Sequence, residues 1–323
     1  MSTEILFREE TMNLMRLAKR IGAALLGFVV LLLVWGSLIE PRLIDERRET
    51  AAIPNLPAEW EGRRVALIAD FQIGMWGANT GTIRRIVGRL MEERPAAVLI
   101  AGDFVYKPDD RLGEITAEVG ELVAPLVRAG IPTFAVLGNH DYSMDLEDDP
   151  INPRVAEAVE ATLEAAGVRV LHNEAVPLTP AGTAAEGTPL YVVGIGSAWA
   201  GLDRPAEAMA RVPANAPRFV FMHNPTSFQR LPAGTAPIAV AAHTHGGQIA
   251  VPYTPSWSWM RLVKDHVVGV DGWAEDDEGA RGNRLYVNVG IGFSDVPIRI
   301  NAPPELTWFT LRRGAPLPTL RGG

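Results

Sequence analysis

Cysteine is missing from the 323-residue chain, which excludes disulfides, zinc–thiolate sites and iron–sulfur clusters. That absence leaves the compartment open, because a disulfide-free protein is stable on either side of a membrane. A positive charge excess is missing too: 30 Lys and Arg stand against 38 Asp and Glu, a formal net charge of −8. General nucleic-acid binding needs a basic surface to displace counterions and is not expected. Glycine-rich phosphate cradles of the Walker or dinucleotide type do not occur, nor does a serine nucleophile elbow, which removes those routes to phosphate or acyl chemistry. Apolar residues make up 47%, enough for a sizeable core and too many for wholesale disorder.

Long apolar runs are scarce, with one exception. Residues 21–39, IGAALLGFVVLLLVWGSLI, carry no charge, and a run of roughly 20 such residues spans a bilayer. It lacks the polar stripe of a core helix. It is long for a signal peptide and no Ala-x-Ala site follows, so it reads as an uncleaved anchor. Arg8, Arg16, Lys19 and Arg20 precede it, against Arg42, Arg47 and Arg48 after it. The positive-inside bias then expects residues 1–20 in the cytoplasm and the remainder outside, on a single-pass cell-membrane protein. Residues 40–61, charged and then punctuated by Pro54 and Pro57, are expected to form a linker.

Beyond residue 62 strand-like runs alternate with helical spacing. Residues 64–69 run apolar into Asp70, residues 97–101 into Gly102-Asp103, and residues 133–137 into Gly138-Asn139-His140-Asp141. Between them, Ile83, Ile86, Val87, Leu90 and Met91, then Leu112, Ile115, Val119, Leu122, Val123 and Leu126, recur at helical intervals. This alternation predicts an α/β fold with buried strands. Further short runs at 190–195, 218–222, 238–242, 285–289 and 306–311 predict strands, with a helix near 205–212. Residues 177–189 and 275–282 read as surface loops, and 313–323 as a loose tail.

Four of the six histidines fall in three islands: His140, His223, and His243-Thr244-His245. Asp70-Phe71-Gln72 and Gly102-Asp103 are two more islands, and almost every island follows an apolar run directly. Imidazole is the commonest metal ligand, and carboxylate and amide oxygens suit hard cations. In open α/β sheets ligands bind at the carboxyl ends of strands, so the islands predict one metal centre at one sheet edge. Asp70 taken alone is as well explained as a cap or turn residue.

In order, Asp70-x-Gln72, Gly102-Asp103, Gly138-Asn139-His140-Asp141, His223 and His243-x-His245 resemble the calcineurin-like metallophosphoesterase superfamily over residues 62–312. Met222-His223-Asn224-Pro225, His243-Thr-His-Gly-Gly-Gln248 and the stretch 286–299 resemble a narrower branch of bacterial, membrane-anchored phosphoesterases. The resemblance implies a four-layer αββα sandwich, two mixed sheets flanked by helices, and two metal ions (Mn²⁺, Fe²⁺/Fe³⁺ or Zn²⁺). It implies that Asp103 bridges both ions, that Asn139, His223 and His243 bind one, and that Asp70 and His245 bind the other. His140 is implied as proton donor to the leaving oxygen, with Asp141 orienting it and raising its pKa. The implied reaction is hydrolysis of a phosphomonoester, phosphodiester or pyrophosphate by metal-activated hydroxide. The substrate expected is a phosphorylated small molecule or a lipid-linked one, since some relatives cleave a UDP-diacylglucosamine pyrophosphate.

One position departs from the superfamily pattern. Gln72 stands where its first motif carries His; it either ligates through its amide oxygen or only hydrogen-bonds to bound water. Tyr106, three residues after Asp103, is similar to the iron-binding tyrosine of purple acid phosphatases; it either completes the first metal's shell or packs beside the site. A non-catalytic, membrane-tethered scaffold on a degenerate phosphoesterase fold is the competing function, with Gln72 its one support. His172 is expected to be structural, His266 to lie near the cleft, and Trp257, Trp259 and Met260 to form a loop.

Overall fold

A computed structural model describes residues 3–180, 188–250, 268–274 and 279–315. His266 and the 257–260 loop lie outside the described residues. The strands are β1 (Asp45–Pro54), β2 (Arg64–Ile68), β3 (Ala97–Ala101), β4 (Thr133–Val136), β5 (Arg169–Val170), β6 (Glu174–Leu178), β7 (Leu190–Gly194), β8 (Arg218–Phe221), β9 (Ala239–Ala241), β10 (Gly272–Trp273), β11 (Leu285–Val287) and β12 (Glu305–Gly314). The helices are α1 (Thr3–Val34), α2 (Thr80–Glu93), α3 (Leu112–Arg128), α4 (Pro153–Ala165) and α5 (Pro205–Ala210).

Two six-stranded mixed sheets result, ordered β1-β12-β2-β3-β4-β5 and β10-β11-β9-β8-β7-β6. Strand alternation divides the core into layers. Val65 and Leu67 of β2, Leu99 of β3 and Val136 of β4 meet Val192, Phe219, Phe221 and Val240 of the second sheet between the two sheets. Their neighbours Ala66, Ile68, Val98 and Ile100 face outward onto Ile83, Ile86 and Leu90 of α2 and Val119 and Val123 of α3. On the far side, Val193, Val220 and Ala241 pack on Ala208 and Met209 of α5. The four-layer α/β sandwich is therefore present, and the apolar runs are continuous because these central strands are buried on both faces.

Residues 40–61 are not a free linker. β1 pairs in parallel with β12 over its whole length, Asp45 opposite Glu305 through Pro54 opposite Gly314. Its charges are those of an edge strand, which tolerates them: Ala51 and Ile53 enter the sandwich core, while Arg47 pairs with Asp45, Asp271 and Glu305. The start of the expected 177–189 loop lies in β6, paired antiparallel with β7. Arg313 and Gly314 of the expected tail belong to β12. α4, with Pro153 at its first turn, has no counterpart among the expected elements.

α1 begins well before the apolar run and is followed by a π-helical turn, Trp35–Ile39. Among the described residues it is the one helix long and apolar enough to cross a membrane, with mean hydropathy 2.4 over its most apolar 18 residues. Its end is seated on the sandwich. Arg299 N donates to Gly36 O at 2.9 Å. Glu40, buried, accepts from Ala302 N at 2.7 Å and from Trp35 Nε1 at 2.6 Å. Pro41 O accepts from Asn79 Nδ2 at 2.6 Å and Thr82 Oγ1 at 3.0 Å.

A fragment beginning at Trp35 should melt cooperatively, whereas one beginning at Pro54, lacking β1, should aggregate or lose its cooperative transition. A sharp thermal transition in the shorter fragment, followed by circular dichroism, would contradict the structural role given to β1.

Candidate metal centre

Each sheet sends its chemistry-bearing residues off the carboxyl ends of its strands. Asp70 follows β2, Asp103 follows β3, Asn139 and His140 follow β4, His223 follows β8 and His243 follows β9. The backbone there is strained: Asp70, Gln72, Asp103, His243 and His245 have φ of +53°, +52°, +58°, +74° and +51°, a left-handed region costing non-glycine residues about 1 kcal/mol or more each. Backbone bonds hold it in place, Asp70 N to Gly102 O and Gln72 N to Asp103 O, both 3.0 Å. A methyl group on Gly138 would overlap the Asp103 carboxylate, and one on Gly290 would overlap that of Asp70.

Two donor sets form, and they share one residue. Ligand atoms of Asp103, His223 and His243 lie within 4.8 Å of one another, and so do those of Asp70, Asp103 and His245. Asn139 joins the first set, its Oδ1 3.0 Å from His223 Nε2. Gln72 stands beside the shared carboxylate, Nε2 donating to Asp103 Oδ2 at 3.0 Å. Both Asp70 oxygens and Gln72 Oε1 are buried without a hydrogen-bond partner. Buried anionic oxygens left so are costly, and a cation satisfies them; the donor set fits a metal.

The electrostatics agree. Burial pushes the Asp70 carboxyl up to about 7. Burial pushes Asp103 the same way, but the charges of His223 and His140 hold it below the usual carboxylate range. Burial alone would lower His223, yet Asp103 and Asp70 raise it to about 9. Its Nδ1 donates to Ala101 O at 2.7 Å, which turns Nε2 toward Asn139 and toward Asp103 Oδ2, 3.2 Å away. A proton on Nε2 thus takes the direction a cation would take, and the carbonyl fixes the ring as metal-site histidines are commonly fixed.

His245 is held far below its ordinary range by burial and by the Arg299 guanidinium. Arg299 is fully buried and donates to the carbonyls of Gly292, Val289 and Ala302 at 2.6–3.3 Å. Its Nη2 lies 3.4 Å from His245 Nδ1. The sequence signal for it was one cation inside the apolar run Val296-Pro-Ile-Arg-Ile300.

Asp141 does not orient His140. Its two oxygens accept four backbone N–H groups, from Asp103 (2.9 Å), Phe104 (2.8 Å), Val105 (3.2 Å) and Gly138 (2.8 Å), so it fixes the loop that aims Asp103. The carboxylate near the imidazole is Asp145, Oδ1 3.4 Å from His140 Nδ1, an ion-pair contact without hydrogen-bond alignment. Lys107 Nζ meets the other Asp145 oxygen at 2.8 Å. Burial would lower His140, but Asp103 and Asp145 raise it. Tyr106 packs against this corner, its ring 5.0 Å from that of His140, with Lys107 over its face and Met75 and Phe293 beside it. These contacts make it a wall for His140. Trp199 stands edge-on to His243 at 4.6 Å. A cleft of about 640 Å³ opens over His140, His243 and His245. His172, 3.1 Å from Glu160 on α4, belongs to none of this.

The family model for calcineurin-like phosphoesterases matches residues 63–247. The chain belongs to that family. The phosphodiesterase YaeI of Escherichia coli is 30% identical over 68% of this chain and 72% of its own. The metallophosphoesterase YkuE of Bacillus subtilis is 22% identical over 85% and 87%. The UDP-2,3-diacylglucosamine pyrophosphatase LpxG of Chlamydia trachomatis is 25% identical over 87% and 93%. The protein is a metal-dependent phosphoester hydrolase. Gln72, the one support of the scaffold reading, keeps Oε1 buried without a hydrogen-bond partner beside Asp103.

Asp141→Ala in this phosphoesterase should cost roughly 3 kcal/mol or more, because four buried N–H groups lose their acceptor; Asp145→Ala, at a half-exposed pair, should cost under about 1 kcal/mol. Losing Asp145 should lower the His140 pKa, so a rate needing protonated His140 should fall off at lower pH. Thermal melts and the pH profile of aryl phosphodiester hydrolysis check both; equal stability losses, or an unmoved profile, would contradict the assignments.

Proposed function

We propose a membrane-anchored, dinuclear phosphoesterase that hydrolyses a phosphomonoester, phosphodiester or pyrophosphate bond. The observation that carries it is the sharing of Asp103 by both donor sets, which suits a carboxylate between two cations. Asp103, Asn139, His223 and His243 would hold one ion, and Asp70, Asp103, His245 and the Gln72 amide oxygen the other. When bound, the pair (Mn²⁺, Fe²⁺/Fe³⁺ or Zn²⁺) supplies Lewis-acid polarisation of the phosphoryl group and lowers the pKa of the attacking water.

The chain's own groups do the rest. Asp70 and Asp103 offset two of the positive charges and leave the site attractive to phosphate. As the phosphorus–oxygen bond breaks, His140, at the cleft floor, gives its proton to the leaving oxygen. Asp145 keeps that imidazole charged, with Lys107 holding Asp145. Arg299 sets His245 from behind, and Tyr106 keeps His140 from turning away. The cleft combines these polar groups with Leu146, Trp199, Ile249 and Val296, which supports a substrate with an apolar portion, small or lipid-linked. The charge balance of −8 opposes nucleic acid as partner.

Wild-type protein should carry two metals per chain; Asp103→Ala should fall below one and lose hydrolysis of an aryl phosphodiester. His140→Ala should keep its metals and lose about 10²–10⁴-fold in kcat. Tyr106→Phe should keep metals and stay colourless with iron, as does its parent. Full activity in Asp103→Ala would sink the dinuclear reading, and a visible iron–phenolate band that vanishes in Tyr106→Phe would make Tyr106 a ligand instead.

The basic flank before the apolar run supports a cytoplasmic N-terminus and an extracytoplasmic catalytic domain. Protease added outside spheroplasts should then degrade the domain; degradation seen solely after lysis would place it on the inner side.

A further inference from the structure

We propose that the mouth of the catalytic cleft itself rests on the lipid surface, so that the phosphoesterase takes its substrate from within the headgroup layer. This rests on the reading of α1 as a membrane anchor. Beyond residue 43, the described residues include seven exposed large hydrophobics: Trp76, Met91, Leu146, Ile151, Leu202, Ile249 and Val296. Four of them surround one feature. Leu146, Ile249 and Val296 line the cleft over the metal-site histidines. Trp76, 72% exposed, precedes Gly77, whose Cβ position lies 3.4 Å from Pro297, the neighbour of Val296.

The anchor enters at the same place. The Cβ position of Gly36 lies 2.8 Å from Ile298 and 3.0 Å from Ile300. Ile300 is bridged to Ile249, with Ile300 N donating to Gln248 O and Ala250 N donating to Ile300 O, both 2.9 Å. Gln248 Nε2 in turn donates to the carbonyls of Ser294 and Val296 at 2.7 and 2.8 Å. One short stretch, 294–300, therefore joins the end of the spanning helix to the rim of the cleft, with no free linker between. A rim that cannot swing away from the bilayer and bears exposed Trp, Leu, Ile and Val is covered by lipid, where such residues are stable and a tryptophan is at home. Arg42 and Arg85, exposed where the helix ends and joined by Arg85 Nη2 donating to Arg42 O at 2.7 Å, complement anionic headgroups. The substrate class that follows is an amphiphile whose phosphate reaches the metals while its apolar part stays in the leaflet.

The absence of cysteine makes the test clean. W76C, L146C, I249C and V296C, and M91C as reference on α2 roughly 16 Å from the helix start, are made in the full chain. Each is labelled with a nitrobenzoxadiazole dye and reconstituted in phosphatidylethanolamine–phosphatidylglycerol vesicles purified by flotation. The four rim labels should emit to the blue of the reference and lose most of their emission to a nitroxide-bearing lipid, which should leave the reference bright. Protein that floats with its vesicles but whose rim labels match the reference would overturn the proposal while leaving the anchor intact. Protein that does not float would overturn the anchor reading and this proposal with it.

Discussion

Two carboxylates held out of water, one of them without any hydrogen-bond partner, are the constraint around which this molecule is built. Asp70 and Asp103 sit where the carboxyl ends of β2 and β3 meet those of β8 and β9, and neither reaches solvent. Burying an ion costs several kcal/mol even in a relaxed protein interior. Asp103 recovers part of this from His140 N, Gln72 and His223; Asp70 has no such bonds and is pushed toward neutrality. Cations held beside these oxygens would offset that cost, and His223, His243 and His245 stand within ligand distance of them. The oxygens that folding leaves unsatisfied, both of Asp70 and Oε1 of Gln72, are ones that a bound cation would satisfy.

The strained backbone follows from the same demand. Five residues of the centre take left-handed φ values, and such strain persists where surrounding structure over-determines it. Asp141 with its four backbone donors, Arg299 with its three carbonyls, and the close approach of Gly138 to Asp103 are that surrounding structure. Each lies against a residue of the two donor sets, Asp141 and Gly138 against Asp103 and Arg299 against His245. The apolar helix joins this framework through Gly36 and Glu40, so its end and the donor sets share a scaffold.

Much of this was legible in the chain. Central strands buried on both faces leave uninterrupted apolar runs, and polar islands at their ends are visible because nothing else interrupts such runs. β1 was not legible, because an edge strand carries charges on its outer face and reads as a linker until its parallel partner β12, some 260 residues later, is known. α4 escaped because its alanine-rich face hides the helical stripe that Val155, Val159 and Leu163 make once buried. The partner of His140 escaped for another reason: adjacency in sequence favoured Asp141, whereas the turn Asn139–Met144, closed by Met144 N donating to Asn139 O, brings Asp145 round to the ring. Spacing along a strand end brings out the candidate ligands; which carboxylate faces which imidazole depends on the turn between them.

The central claim is that Asp103 lies between two cations. Anomalous scattering from crystals of the Mn²⁺-loaded protein tests it most directly. Two peaks roughly 3.5–4 Å apart, one against His223 and His243 and the other against Asp70 and His245, with the Asp103 carboxylate touching both, are the predicted result. One peak, or two of which Asp103 touches neither, would contradict the account.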